Sequence, residues 1–300
     1  SSGPARRLSK PSSPAFWTPL ARRNAMADRV KLSGKLVLIG AGKMGSAMLE
    51  GWLKAGVSGD QVVIFDPAPP PETLALVADH GIAHNPDPAS VSGVEVILVA
   101  IKPQMVDEVL PTLKPLANEK PLVVSVVAGK TIASLKGHLG QDVPVIRTIP
   151  NTPSAVGRGI TAMAPGNDVS AAQTELAGAL LSAIGEVVTV DNEALIDAAT
   201  AISGSGPAYV FYMAECLTEA GKALGLPADV AEQLARATVA GAGELMRATG
   251  TPAGTLRENV TSPKGTTYAA LQVLMAEGGL EALMREATKA AEARSRELAG

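Results

Sequence analysis

A single cysteine, Cys216, stands in the 300-residue chain, so no intrachain disulfide can form and a reducing compartment is the natural setting. Cys216 lies in an apolar stretch and reads as a small core residue, not as a nucleophile. Aromatic residues make up 3% of the chain, too few for a base-stacking surface. Charge of one sign is also lacking. The 26 Lys and Arg against 29 Asp and Glu leave a formal net charge of −3, which gives no electrostatic reason to expect nucleic acid. The three histidines, His80, His84 and His138, stand apart from any Cys or acidic cluster at ligand spacing, so no metal site is expected. No apolar run reaches the ~18–20 residues that a bilayer span requires. A cytoplasmic protein with no membrane partner is the expectation.

What is present is a chain 46% hydrophobic and 18% charged, able to bury a sizeable core and long enough for about two domains. Residues 1–31 differ in kind. They hold Arg6, Arg7, Lys10, Arg22 and Arg23, several prolines, and no acid before Asp28. An organelle transit segment, a cloning remnant and an upstream-extended start share this composition. Met26-Ala27-Asp28 suits an ordinary initiator and favours the latter two. The stretch is expected to be a disordered or non-native extension outside the fold.

From residue 35 onward, short Val- and Ile-rich runs at 35–39, 62–65, 94–100, 122–126 and 143–149 alternate with helical stretches at 43–55, 71–79, 104–116 and 132–139. Near-continuous apolar strands imply that both sheet faces are covered, as in a parallel sheet between helices. The alternation predicts a doubly wound, Rossmann-type α/β domain over residues 32–191. Runs at 160–164 and 186–190, flanking a helix at 171–184, are expected to extend the sheet at its edge. After Asn192 the strand signal stops. Helices are predicted at 193–202, 207–224, 228–249, 266–276 and 280–298, making an all-α domain over 192–300. Val210, Phe211, Met213, Ala214 and Leu217 form a wide apolar stripe that calls for cover; a second copy of the chain is the favoured cover, and packing of a monomeric helical domain on the sheet domain is the other reading.

The first strand runs into Gly40-Ala41-Gly42-Lys43-Met44-Gly45 and then a helix. Gly40 permits the tight turn, Gly42 lets backbone N–H groups approach a pyrophosphate, and Gly45 lets helix and strand pack closely. The helix start adds unpaired donors and partial positive charge. Strand before and helix after turn a weak motif into a dinucleotide site. The second strand ends in Asp66, positioned to accept a hydrogen bond from a ribose 2′-hydroxyl, which on its own favours NADH; a turn or cap residue before Pro67 is the other reading. Ala100-Ile101-Lys102-Pro103 and Val126-Val127-Ala128 occupy further strand ends, with Asn85 a weaker candidate.

In the helical part, Thr261-Ser262-Pro263-Lys264-Gly265-Thr266-Thr267 breaks the chain and then places hydroxyls at a helix opening. N–H groups and hydroxyls together suit a carboxylate and a neighbouring polar atom. Helix capping by Thr266 explains the same residues equally well. Absent are a Ser–His–Asp spacing and paired loop carboxylates. Reduction of a carbonyl needs a strong positioned acid, whereas a basic imine nitrogen arrives already protonated.

These residues resemble the pyrroline-5-carboxylate reductase family over about residues 36–298. The run Leu256-Arg257-Glu258-Asn259-Val260-Thr261-Ser262-Pro263-Lys264-Gly265-Thr266-Thr267 is similar to its signature. Ser203–Tyr209, Arg147–Pro153 and Ala100–Pro103 resemble its other hallmarks. The resemblance implies an NADPH- or NADH-dependent reductase acting on 1-pyrroline-5-carboxylate, built as a homodimer whose active site lies between one subunit's cofactor and helices of the other, in some members as decamers of five dimers. It further implies that Thr267 is the catalytic contact near the ring nitrogen, that Gly265, Thr266 and Thr267 hold the carboxylate, and that Ser262 and Asn259 shape the turn. Gly40–Gly45, Ala100–Pro103 and Val126–Ala128 would meet the cofactor. Family members commonly prefer NADPH, and many lack an acid where Asp66 stands. A β-hydroxyacid dehydrogenase shares the two-domain plan, but its proton-donating lysine falls here at Val210. A non-catalytic nucleotide sensor would have no need of the Ser262–Thr267 turn.

Overall fold

The computed structural model describes residues 30–299. Of the stretch 1–31 expected to lie outside the fold, all but the last two residues fall outside the described ones. Val30 packs on the core at 8% exposure. The described residues form two compact units, one made of 30–212 and 276–299 and the other of Met213–Met275. Residues 193–212 and the last helix share the compact unit that holds the sheet.

The larger unit carries strands β1 (Lys35–Ile39), β2 (Val62–Phe65), β3 (Ala83–His84), β4 (Val94–Val99), β5 (Leu122–Ser125), β6 (Val145–Ile149), β7 (Gly159–Pro165) and β8 (Gly185–Thr189). Their order is β3-β2-β1-β4-β5-β6-β7-β8, parallel throughout except between β6 and β7. The sheet is the doubly wound Rossmann type expected, and β7 and β8 extend it at the edge as predicted. Alternate residues explain the apolar runs. Leu36 and Leu38 of β1 and Val96 and Leu98 of β4 enter one core, while Val37, Ile39, Ile97 and Val99 enter the other. All eight of these side chains are buried because helices cover both faces.

The covering helices are α1 (Lys43–Lys54), α2 (Pro71–His80), α3 (Val106–Thr112), α4 (Ile132–Leu139) and α5 (Ala171–Leu181). Trp52 of α1 is fully buried, and its indole N–H donates to the Leu180 carbonyl at 2.8 Å, so its one polar group is satisfied. The helix predicted at 104–116 is in fact three pieces, with 3₁₀ turns at Pro103–Met105 and Lys114–Ala117 around α3. Pro111 and Pro115 lack the N–H that a continuous helix needs.

Past β8 the chain forms α6 (Leu195–Ala199), a π-turn at Thr200–Gly204, α7 (Gly206–Ala223), α8 (Ala228–Thr249), α9 (Ala253–Asn259), α10 (Thr266–Leu274) and α11 (Leu280–Ala299). Helix α9 was not anticipated, since Pro252 and the nearby breakers mask its seven residues. In the Met213–Met275 unit, Leu224 is 87% exposed, Val273 73% and Leu234 52%. Cys216 is exposed rather than a core residue, which corrects the sequence expectation. The side chains around it on α7, Phe211, Tyr212 and Met213, are exposed as well, so among the described residues no core closes over that face. Among the described residues no helix is long and apolar enough to cross a membrane, and no group of three or more His, Cys, Asp or Glu could hold a metal ion.

Candidate dinucleotide and substrate sites

The strand order reverses between β1 and β4, and a doubly wound sheet binds its ligand in the crevice outside the carboxyl ends there. Three loops are stitched side by side at that edge. Gly40 donates its N–H to the Phe65 carbonyl (2.9 Å), Ala100 to Ile39 (2.7 Å) and Val126 to Val99 (3.0 Å). The sequence-predicted segments Gly40–Gly45, Asp66, Ala100–Pro103 and Val126–Ala128 are thus brought to one rim.

The glycines have separable roles. Gly40 has φ +89°, and a Cβ there would lie 2.7 Å from the Ala100 carbonyl oxygen. A Cβ on Gly45 would run into the Gly40 carbonyl, so helix and turn meet only through glycine. Gly42 is different: a Cβ there meets nothing within 4 Å, so its bareness serves the open space and not the packing. Gly42 is also the N-cap of α1, and no side chain caps that helix start. Unspent N–H groups facing open space across a residue without a side chain make an anion cradle, and they fit the pyrophosphate of a dinucleotide.

Asp66 is held tightly at the rim. One carboxylate oxygen accepts the Ala41 N–H at 2.6 Å and the other the Ala68 N–H at 2.8 Å. Asn85, at φ 49°, spends its amide on the Asp66 backbone: its Oδ1 accepts the Asp66 N–H at 2.9 Å and its Nδ2 donates to the Asp66 carbonyl at 2.8 Å. Its side chain thus acts on Asp66, which the sequence did not foretell. Lys43 and Lys102 are exposed, and Met44, Ile101 and Pro103 are half-buried.

In the helical unit, Lys264 takes φ +59° and Gly265 donates its N–H to the Ser262 carbonyl at 3.0 Å, closing a tight turn. A Cβ on Gly265 would press to 3.2 Å from that same carbonyl oxygen. The N-cap of α10 is Gly265 and no side chain caps it, which corrects the alternative reading of Thr266 as the cap. Thr266 and Thr267 are instead the first two helical residues, with hydroxyls available beside free N–H groups. Thr267 is half-buried, while Ser262 and Asn259, the last residue of α9, are exposed.

Sequence reasoning missed a second feature. Beyond the ends of β5 and β6 lies a cavity of about 200 Å³ lined by Val127, Ala128, Gly129, Arg147, Thr200 and Ser295 among others. Arg147, 3% exposed, pairs there with Glu193 and Asp197. The signals in the sequence were an arginine inside the short strand Val145–Ile149 and its place at the head of the hallmark run Arg147–Pro153.

Comparison with known proteins adds identity to this geometry. A family model described as NADP oxidoreductase coenzyme F420-dependent matches residues 35–129, and one described as pyrroline-5-carboxylate reductase dimerisation matches residues 193–298. The pyrroline-5-carboxylate reductase of Pseudomonas aeruginosa is 39% identical over 267 residues, covering 88% of this chain and 97% of that protein. That of Synechocystis is 39% identical over 268 residues, covering 89% and 99%. Among solved structures, a pyrroline-5-carboxylate reductase from Coxiella burnetii superposes with TM-score 0.82 at 32% identity, covering 90% of this chain and 100% of that one. The Plasmodium falciparum pyrroline carboxylate reductase with NADP bound gives TM-score 0.72 at 26% identity, covering 89% and 99%.

Proposed function

This chain belongs to the pyrroline-5-carboxylate reductase family, and from that premise we propose which of its residues serve the NAD(P)H-dependent reduction of 1-pyrroline-5-carboxylate to L-proline. When bound, the reduced nicotinamide supplies a hydride to the imine carbon. As that C–H bond forms, the C=N π pair moves to the nitrogen, which already carries the proton that makes the product an amine. The protein therefore needs no strong acid, and its work is positioning and electrostatics.

The N–H groups at the start of α1, reached across Gly42, hold the pyrophosphate. Asp66 faces the adenosine ribose, with Asn85 fixing its backbone, while Lys43, Met44, Ala100–Pro103 and Val126–Ala128 line the remainder of the dinucleotide. Two opposing influences act on the choice of cofactor: the Asp66 carboxylate disfavours a 2′-phosphate, yet both of its oxygens already accept hydrogen bonds, from the Ala41 and Ala68 amides. In the helical unit, the N–H groups of Thr266 and Thr267 receive the substrate carboxylate, while Gly265, whose own N–H is spent on the Ser262 carbonyl, leaves the approach to them bare. Thr267 directs its hydroxyl to the ring nitrogen, with Ser262 and Asn259 keeping the turn in shape. The observation that carries this assignment is the uncapped start of α10 behind a glycine whose side chain, if it had one, would crowd the Ser262 carbonyl.

The chain oligomerises through its dimerisation domain. We propose a homodimer, with decamers of five dimers as the larger form, because the exposed apolar side chains of α7, α8 and α10 need cover. We further place the enzyme in the cytoplasm. An isotope experiment tests the chemistry: reduced cofactor deuterated at the transferable position should place one deuterium on the former imine carbon of L-proline. Deuterium lost to water would contradict direct hydride transfer.

A further inference from the structure

One guanidinium holds both walls of the cavity beyond β5 and β6. Arg147 donates from Nη1 to Glu193 Oε1 at 3.3 Å and from Nη2 to Asp197 Oδ1 at 3.2 Å. Each carboxylate oxygen has a second donor. Glu193 Oε1 accepts the Ile132 N–H at 2.8 Å, which fixes the point where the loop after β5 enters α4. Asp197 Oδ1 accepts the Ser295 hydroxyl at 2.8 Å, which fixes α11. The two walls also touch directly. Gly129, at φ +71°, lies in the loop after β5, and a Cβ there would stand 2.9 Å from the Leu298 carbonyl oxygen in the last turn of α11.

We propose that Arg147 is a positioning residue, a clamp that sets the Val126–Ala128 loop against the end of α11 and so makes the C-terminal helix a wall of the nucleotide site. The inference rests on the reading that this loop contacts the cofactor. A buried ion pair of this kind contributes little net stability, but losing one partner strands the others without compensation. Its effect is therefore geometric: the loop backbone is held in place before nucleotide arrives, which lowers the ordering cost of binding. Neither carboxylate is near Arg147 in sequence, so the clamp exists only in the folded chain.

The test uses the full-length protein with Ser295→Ala, Ser295→Thr and Arg147→Lys. Hydrogen–deuterium exchange is followed in the nucleotide-free protein, and NADPH affinity is read from the fluorescence of the bound dihydronicotinamide. Ser295→Ala should speed exchange in residues 126–131 and at the end of α11 while leaving residues 40–45 unchanged. It should weaken NADPH about 3- to 10-fold, because only part of what one hydrogen bond to a charged acceptor contributes is passed on to the cofactor. Ser295→Thr should restore both readouts, and Arg147→Lys should weaken NADPH by about 10-fold or more. Unchanged exchange in residues 126–131 in both disruptive variants would overturn the clamp, as would a uniform rise across the sheet. Faster loop exchange with unaltered NADPH affinity would overturn its bearing on the cofactor. Wild-type protein that bound no NADPH would refute the underlying cofactor assignment, and the exchange measurement would still decide the clamp.

Discussion

Two glycines of the first loop, three residues apart, should respond to the same methyl group in opposite ways. In Gly42→Ala the new Cβ meets nothing within 4 Å, and the residue's φ of −67° is open to alanine. The cost to folding is that of a poorer N-cap, about 0.5–1 kcal/mol, or a Tm shift of about 1–4 °C in a unit of this size. The same methyl, however, projects into the space where the pyrophosphate must approach the helix start. Losing one N–H contact to a charged oxygen is worth about 1.5–3 kcal/mol, so NADPH should bind about 10- to 150-fold more weakly. In Gly45→Ala the Cβ collides with the Gly40 carbonyl, and either the helix or the turn must move. That variant should lose several degrees of Tm along with its affinity. Thermal unfolding without nucleotide and equilibrium NADPH titration separate the two effects. A Gly42→Ala protein with wild-type affinity would refute the placement of the pyrophosphate, and a Gly45→Ala protein with wild-type Tm would refute the packing argument.

Other expectations follow from the same geometry. Asp66→Ser removes a negative charge from the rim and should raise NADPH use relative to NADH; an unchanged ratio of kcat/KM values would show that this carboxylate serves only the Ala41 and Ala68 amides. Thr267→Ala should lower kcat/KM for the imine by about 5- to 150-fold through loss of a hydrogen bond worth ~1–3 kcal/mol, with NADPH affinity unaltered. Near-normal kinetics would remove Thr267 from the chemistry. On the surface, the Asp107 carboxylate is held below its ordinary range chiefly by its hydrogen bond from Lys130, against a smaller opposing effect of desolvation, with His138 assisting. A lowered folded pKa contributes stability above the unfolded value and loses it as pH falls through the folded one. Asp107→Asn should therefore flatten the fall of Tm with pH below about 4, and an identical acid limb in both proteins would discount the pair.

The parts of this molecule that could be read from sequence are those whose physics is local. The run Gly40–Gly45 declares itself because tight turn, bare cradle and close packing each demand glycine within six residues. Strands β1 and β2 were placed to the residue because burial on both faces leaves continuous apolar runs. The helix expected at 104–116 broke because its prolines act at specific turns, which periodicity averages away. Cys216 was misread because an apolar neighbourhood in sequence does not say whether the cover comes from the same chain. The Arg147 clamp was illegible for a different reason: its partners lie 46 and 50 residues away, and the Ser295–Asp197 link spans 98. Asn85 was expected near the cofactor, but its service to the Asp66 backbone depends on a left-handed φ that the sequence alone does not display.

A protonated C=N bond needs only a well-aimed hydride, and that premise is open to one direct comparison. Purified enzyme is given NADPH and NADH in turn, first with 1-pyrroline-5-carboxylate and then, with the oxidised cofactors, a panel of hydroxy acids, while the absorbance of the reduced nicotinamide is followed. Consumption of reduced cofactor with the imine, matched by L-proline formed, and silence with every hydroxy acid is the predicted result. No consumption with the imine, together with ready oxidation of a hydroxy acid, would contradict it.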